Sequence, residues 1–453
     1  MEEVRLKTTT DEEKANPLNQ VGLTEHLSLL RAKLFHKAKT EPKFRFYSMY
    51  GHVMKMETLE SAWRRVRANK GKPGVDRISF ADIEKREGGV HELLTNIQKS
   101  LKERTYRSDP VRRVYIPKQD GRKRPLGIPT IKDRVVQMAV LLIIEPIFEA
   151  DFLDSSYGFR PGRSAHDAVA AIRSHLKEGK RTVYDADLKG YFDTIPHDNL
   201  MKAVERRIAD RSVLKLLRIW LKSTIVDIDD NGKPKWYRSQ VGTPQGGVIS
   251  PLLANIYLHH FENYFHSLTG RGKKIAASIV RYADDFVILM QEPMNDMIHH
   301  VEHLLETRFK LKINREKTKW VDLRKAGSTL DFLGFSFRYE RGIHYKGYQC
   351  LSIFPSKKSV KNLKLNIHEQ LSRKNSHKHL WQIASQLNRM LGGWDNYFKV
   401  SFRDKAYREV NEYLRLKLWK FETSKSQRKK KLPEGVTWNS YLKRRGVNFL
   451  SYV

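Results

Sequence analysis

The chain reads as an α+β protein whose part after Pro355 is all-α, and three observations carry that reading. Two β-branched, apolar runs, Ala277-Ser278-Ile279-Val280 and Phe286-Val287-Ile288-Leu289, flank Tyr282-Ala283-Asp284-Asp285: strand, tight turn, strand. A second hairpin is predicted where Val111–Pro117 and Arg124–Pro129 enclose the turn Gln119-Asp120-Gly121. Beyond Pro355, apolar residues recur at helical spacing (Leu363, Ile367, Leu371; Ile383, Leu387, Leu391; Tyr413, Leu416, Leu418), with Lys- and Arg-rich surfaces between them.

In chain order, residues 1–25 are polar and contain Asn16-Pro17, which predicts a poorly ordered start. Helical spacing follows from Leu27 to Arg67, ended by the turn-forming loop Asn69–Asp76. The basic stretch Lys99–Arg124 contains the first hairpin, and Asp133–Ala150 is an apolar core helix. The cluster Val241–Gly247 is a loop, and Val248–Ile256 a buried helix behind it. Gly246-Gly247 would let backbone pass close to a ligand, although a plain turn would use it as well. In the helical C-terminal part, Gly392–Phe398 reads as an interruption. The tail carries Lys425, Arg428, Lys429, Lys430 and Lys431, then Lys443-Arg444-Arg445.

A length of 453 residues is enough for two to four domains, and 40% hydrophobic content is enough to bury real cores. Lysine and arginine number 85 against 51 acids, a net charge of +34 spread along the chain and interleaved with Tyr, Phe and Trp. That distribution suits a long polyanion track better than one amphipathic membrane anchor. Mean hydropathy is −0.60, and no apolar run approaches membrane-spanning length. The single cysteine, Cys350, excludes an intramolecular disulfide and a Cys-rich zinc module. The first residues lack a secretory apolar core, so the expected compartment is cytoplasmic.

Adjacent acids at a hairpin tip repel one another unless a cation neutralises them. Taken alone, Asp284-Asp285 is equally a solvated turn. A third acid, Asp187, follows the apolar-leaning segment that ends at Ala186. Three carboxylates at strand ends are what a two-Mg²⁺ phosphoryl-transfer site needs.

With these segments in order, the chain resembles the reverse transcriptases encoded by bacterial group II introns, the intron maturases, from about Leu30 onward. The blocks that carry the likeness are Asn69–Asp76, Arg124–Gln137, Ser156–Ser164 (Ser-Tyr-Gly-Phe-Arg-Pro-Gly-Arg-Ser), Asp187–Pro196, Gly242–Leu258, Tyr282–Asp285, Glu316-Lys317-Thr318 and Leu333-Gly334-Phe335. Gly392–Phe398 resembles the signature of the family's thumb, domain X.

The resemblance implies a right-hand polymerase, with fingers and a ferredoxin-like palm followed by an all-α thumb. The expected division is an N-terminal extension at 1–55, fingers at 56–183, palm at 184–350, thumb at 355–423 and a basic tail at 424–453. It implies that Asp187, Asp284 and Asp285 bind two Mg²⁺ ions, and that Asp185, Asp193 and Asp331 are structural. It places Arg112, Lys118 and Arg124 on the triphosphate of the incoming dNTP, Gln245 beside the nascent base pair, and Phe192 beneath the deoxyribose, where ordinary core packing is the alternative. Tyr282, Gly334, Trp394, Tyr397, Lys429, Lys430 and Lys431 are the expected contacts to template, primer or intron RNA. Implied partners are an intron RNA, an RNA template with its DNA primer, dNTPs and a DNA target. Many relatives continue into a DNA-binding region and a Cys/His endonuclease; with one cysteine before Val453, the zinc-supported nuclease is expected to be absent. Two other readings stand beside intron splicing and mobility. One is a host-adopted relative in DNA repair, phage defence or spacer acquisition. The other is an RNA-binding splicing factor with a decayed polymerase, against which the intact acids speak.

Overall fold

A computed structural model describes residues 22–117, 121, 123–228, 233–238, 240–243, 246–270, 277–341, 349–425, 432 and 434–451. The chain forms two compact units: 1–164 with 184–288 and 294–319, and 165–183 with 289–293 and 320–453. Lys118, Gln245 and Lys429–Lys431 lie outside the described residues, as does most of the polar start.

The first unit is organised on the helix Ile131–Glu149, which is apolar almost all round and therefore buried on nearly every face. Thr130 caps it by accepting a hydrogen bond from Asp133 N at 3.3 Å. Pro146 inside this helix has no N–H to give the Leu142 carbonyl one turn back. Arg31, fully buried on the helix Glu25–Thr40, donates to that carbonyl instead and pairs with Glu145 at 2.6 Å. The helical stretch predicted from Leu27 is broken after Thr40, because Pro42 disfavours helix for Glu41; it resumes at Tyr50–Val53 and Met56–Ala68.

Strands β1 (Val111–Pro117) and β2 (Lys123–Ile128) form the basic hairpin, with Arg112 opposite Ile128 and Pro117 opposite Lys123. The sheet is larger than the sequence suggested. β4 (Thr224–Ile228) pairs parallel with β1, and β5 (Pro234–Arg238) follows antiparallel, giving the order β2-β1-β4-β5. A second four-stranded sheet has the order β6-β7-β3-β8, with β3 Thr182–Ala186, β6 Ala277–Tyr282, β7 Asp285–Met290 and β8 Lys319–Asp322. Phe286–Met290 are all buried, as expected of a central strand covered on both faces. The helix read at Val248–Ile256 begins at Ser250 and runs to Gly270.

In the second unit, β9 (Leu330–Phe332), β10 (Phe335–Arg341) and β11 (Gln349–Pro355) form an antiparallel sheet of order β11-β10-β9. The helices Lys357–Gln370, Leu380–Phe398 and Asp404–Thr423 share one apolar cluster, including Leu363, Ile367, Ile383, Leu387, Val410 and Leu414. The helix Trp438–Arg444 adds Leu442 to it, and the chain beyond adds Val447 and Leu450. The predicted interruption at Gly392–Phe398 is not there: these residues complete the helix Leu380–Phe398. Two glycines cost a helix roughly 1 kcal/mol each, a penalty that burial of Leu387, Leu391 and Phe398 on either side outweighs.

Candidate functional site

The acid-bearing turn is held from below. Ala283 sits at φ +58°, in the left-handed region that costs a non-glycine residue about 1–2 kcal/mol. Its neighbour Arg281 is fully buried, as is Glu262, and the two pair at 2.7 Å. The same guanidinium donates to the Ala283 carbonyl at 2.9 Å, to Asn255 Oδ1 at 2.9 Å and to Ser156 Oγ at 2.5 Å. Backbone bonds from Tyr157 N to Arg281 O (2.9 Å) and from Arg281 N to Ser155 O (2.8 Å) lay the Ser156–Ser164 loop along β6. Asn255 also donates to Gly158 O at 2.8 Å. A Cβ on Gly158 would stand 2.3 Å from Ala283 N, so only glycine lets this loop reach the turn. Arg160 anchors the loop's far side by pairing with buried Glu149 at 2.6 Å.

Asp187, just past β3, is strapped by the segment carrying Glu316-Lys317-Thr318. Asn314 donates to its backbone carbonyl through N (2.8 Å) and to its carboxylate through Nδ2 (2.7 Å). Asp187 N donates to Thr318 Oγ1 at 3.3 Å, and Lys317 Nζ lies 3.5 Å from the carboxylate.

The three predicted acids share one electrostatic neighbourhood. Burial pushes Asp285 up to about 7, although one side of the residue stays open to solvent; repulsion from Asp284, Asp187 and Asp185 adds to the rise, and Lys317 opposes it. Asp284 is also raised, first by burial and then by Asp187, with Arg124 and Arg281 pulling the other way. Asp185, to which the resemblance assigns no metal-binding role, adds to the field at Asp285. Among the described residues, no three acid or imidazole groups already converge as a metal cage. Crowded carboxylate oxygens nonetheless fit a hard divalent cation that completes its shell with water and substrate phosphate.

Around the acids, Phe192 is buried, its ring 6.3 Å edge-on from that of Phe159, which is 55% exposed. Gly242, at φ +85°, lies against the Phe192 and Asp193 carbonyls, where a Cβ would come within 2.7 Å. Thr243 N donates to Phe192 O at 2.7 Å. Gly246 approaches Gly127 of β2, so the two described glycines of the predicted loop, Gly242 and Gly246, stand against the Phe192 turn and the basic hairpin respectively. Arg124 faces the acids electrostatically, whereas Arg112 donates to Pro73 O at 2.6 Å inside the Asn69–Asp76 loop. Tyr282 is half-buried at the end of β6.

Within the second unit, Gly334, Trp394 and Tyr397 come together. Tyr397 OH donates to Leu333 O at 2.9 Å, and its ring lies 5.3 Å from that of Phe335. His166 Nε2 sits 2.6 Å from the Tyr397 carbonyl. The Trp394 ring lies 4.6 Å from that of Phe398, tilted by 44°, and the Phe398 ring also faces the position a Gly334 Cβ would take. No helix among the described residues is long and apolar enough to cross a membrane.

Comparison with known proteins gives matches over most of this framework. The family described as reverse transcriptase (RNA-dependent DNA polymerase) matches residues 116–349, and the group II intron maturase-specific domain matches 360–439. Protein YkfC of Escherichia coli is 34% identical over 368 residues, covering 74% of this chain and 93% of that protein. Group II intron-encoded protein LtrA of Lactococcus lactis is 33% identical over 353 residues, covering 77% of this chain. The match spans 56% of LtrA, little more than half its length. A telomerase from Candida albicans, solved with a fragment of telomeric RNA, aligns at TM-score 0.43 and 16% identity over 73% of this chain and 62% of that one.

Proposed function

Since this chain belongs to the reverse transcriptase family, as an RNA-directed DNA polymerase that carries a group II intron maturase-specific domain, we propose that Asp187, Asp284 and Asp285 form its nucleotidyl-transfer centre and that the chain binds a group II intron RNA to assist splicing and mobility. The observation that carries the first part is that repulsion from Asp284, Asp187 and Asp185 adds to the burial that lifts Asp285 to about 7, a charge cluster that calls for a cation. Reverse transcriptases use divalent metal ions; the proposed pair here is Mg²⁺, which when bound would acidify the primer 3′-hydroxyl and stabilise the leaving pyrophosphate. Asp187, Asp284 and Asp285 would hold the ions, and Asn314 and Lys317 orient Asp187. Arg124, whose charge is felt at Asp284, meets the triphosphate of the incoming dNTP, with Arg112, Lys118 and Gln245 completing that side. In domain terms, 1–55 is an N-terminal extension, 56–183 fingers, 184–350 palm, 355–423 thumb and 424–453 a basic tail. RNA template, DNA primer and intron RNA lie along Tyr282, Gly334, Trp394, Tyr397 and Lys429–Lys431, and a DNA target is the acceptor in mobility.

Two variants probe the centre without touching its acids. Phe192→Val trims the ring proposed to exclude a 2′-hydroxyl, so incorporation of ATP relative to dATP should rise in paired kinetics. An unchanged ratio would return Phe192 to core packing. Gly158→Ala forces a Cβ against Ala283 N and should displace the acid turn. Misplacement on the ångström scale costs about a hundredfold in rate, so single-turnover extension should fall by that order while RNA affinity is kept.

The maturase role is tested by splicing of a group II intron flanking the gene, at low Mg²⁺, with and without protein. Stimulation that survives an excess of unrelated RNA supports it; no stimulation, with all RNAs bound equally, removes it. The net charge of +34 predicts steeply salt-dependent RNA affinity in either case.

A further inference from the structure

A cleft of about 380 Å³ opens in the first unit between the helices His197–Glu205 and Ser250–Gly270 and the residues that follow the helix Asn295–Thr307. None of its lining residues belongs to the acid turn, the basic hairpin or the glycine loop. Tyr257, Tyr264 and Phe309 form its aromatic walls, and Lys202, Arg206 and Arg308 stand exposed around it. The Tyr257 and Phe309 rings are 5.6 Å apart, and Tyr257 OH donates to Phe309 O at 2.8 Å, so this wall is rigid. Tyr264 is held by stacking on His300, with ring centroids 5.8 Å apart. No acid lines the cleft, and among the described residues no carboxylate lies within ion-pair distance of Lys202, Arg206 or Arg308.

Three cations gathered around an aromatic hollow repel one another, and an anion would relieve the repulsion. His260 registers the same field. Burial and then Arg206 push its imidazole down to about 4, so it is neutral at pH 7 and meets Arg206 Nη1 at 3.4 Å through Nδ1. Asn199 and Asn263 add amide groups able to read a heterocycle's edge. Arginine favours phosphate and stacks on rings, while tyrosine offers a flat face to a base. The volume falls within the range of small-ligand sites.

We propose that this cleft is a second nucleotide site, separate from the polymerase centre, which takes one nucleoside monophosphate unit: base between Tyr264 and the Tyr257–Phe309 wall, phosphate on Arg206 and Arg308. The unit is either free or one nucleotide of an RNA chain.

Both sources are tested on the full chain in EDTA, so that metal-dependent binding at the acids is silent. One arm measures 5′-AMP by equilibrium dialysis; the other crosslinks a short 4-thiouridine RNA and maps the modified residues by mass spectrometry. Saturable AMP binding identifies free nucleotide, and a crosslink at Tyr257, Tyr264 or their neighbours without AMP binding identifies RNA. In either case Arg206→Gln/Arg308→Gln and, separately, Tyr264→Ala should weaken the signal about tenfold or more. Metal-supported primer extension on a short template should stay at the parent rate, showing that the variants fold. If they misfold, Lys202→Gln, at an exposed position on the rim, takes their place with a smaller loss. Neither AMP binding nor a crosslink in the cleft would overturn the inference. So would polyglutamate competing as well as the nucleotide with Tyr264→Ala silent, which reduces the cleft to a positive surface.

Discussion

Asp284→Asn should lower DNA synthesis on an RNA template by about a thousandfold or more while leaving RNA affinity near that of the parent. The side chain keeps its size and loses its charge, so the fold is spared and the loss falls on the cation and the reacting phosphate. Barriers carried by metal-ion catalysis justify a loss of that order, since each 1.36 kcal/mol is tenfold in rate. Asp187→Asn and Asp285→Asn should behave alike. Asp331→Asn, on β9 in the second unit, should leave the rate near the parent's. Single-turnover primer extension beside filter binding of the same RNA separates the two effects. A comparable rate in Asp284→Asn would void the catalytic assignment.

Arg281→Met carries the second large effect, and it is one of stability. Removing the guanidinium leaves Glu262 buried without its partner and strips a donor from Ala283 O, Asn255 Oδ1 and Ser156 Oγ. Breaking one side of a buried ion pair costs about 3–5 kcal/mol, because the remaining charge is uncompensated. The urea midpoint should fall accordingly, and primer extension should fall with it even at temperatures where the variant is folded. Arg281→Met/Glu262→Leu should recover much of the stability but little of the activity, since the Ala283 carbonyl and the acid turn remain unheld. A single variant within about 1 kcal/mol of the parent would contradict the buried-pair account.

The features that were legible in the chain are those written locally. The hairpin around Tyr282–Asp285 announces itself by two apolar runs and a short polar turn, and the helix Ile131–Glu149 by sheer apolar length. What stayed hidden depends on partners far along the chain. Arg281 follows Ile279-Val280 as one basic residue in an apolar run, and its function appears only when Glu262, Asn255 and Ser156 fold around it. Arg31 looks like a surface arginine until Pro146 leaves a carbonyl for it to satisfy. Strands β4 and β5 escaped because the first pairs parallel with distant β1 and the second is largely exposed, so neither shows a clean alternation. At Gly392-Gly393 local propensity pointed to a break, and the packing of neighbouring residues into the helical cluster overrode it.

The measurement closest to the central claim is extension of a DNA primer annealed to an RNA template by the purified chain, with dNTPs, across a Mg²⁺ titration that includes EDTA. The account predicts complementary DNA that grows with Mg²⁺, stops in EDTA and is absent in Asp284→Asn at equal RNA binding. No extension at any divalent ion concentration by a chain that still binds the primer–template, or extension that Asp284→Asn leaves intact, would contradict it.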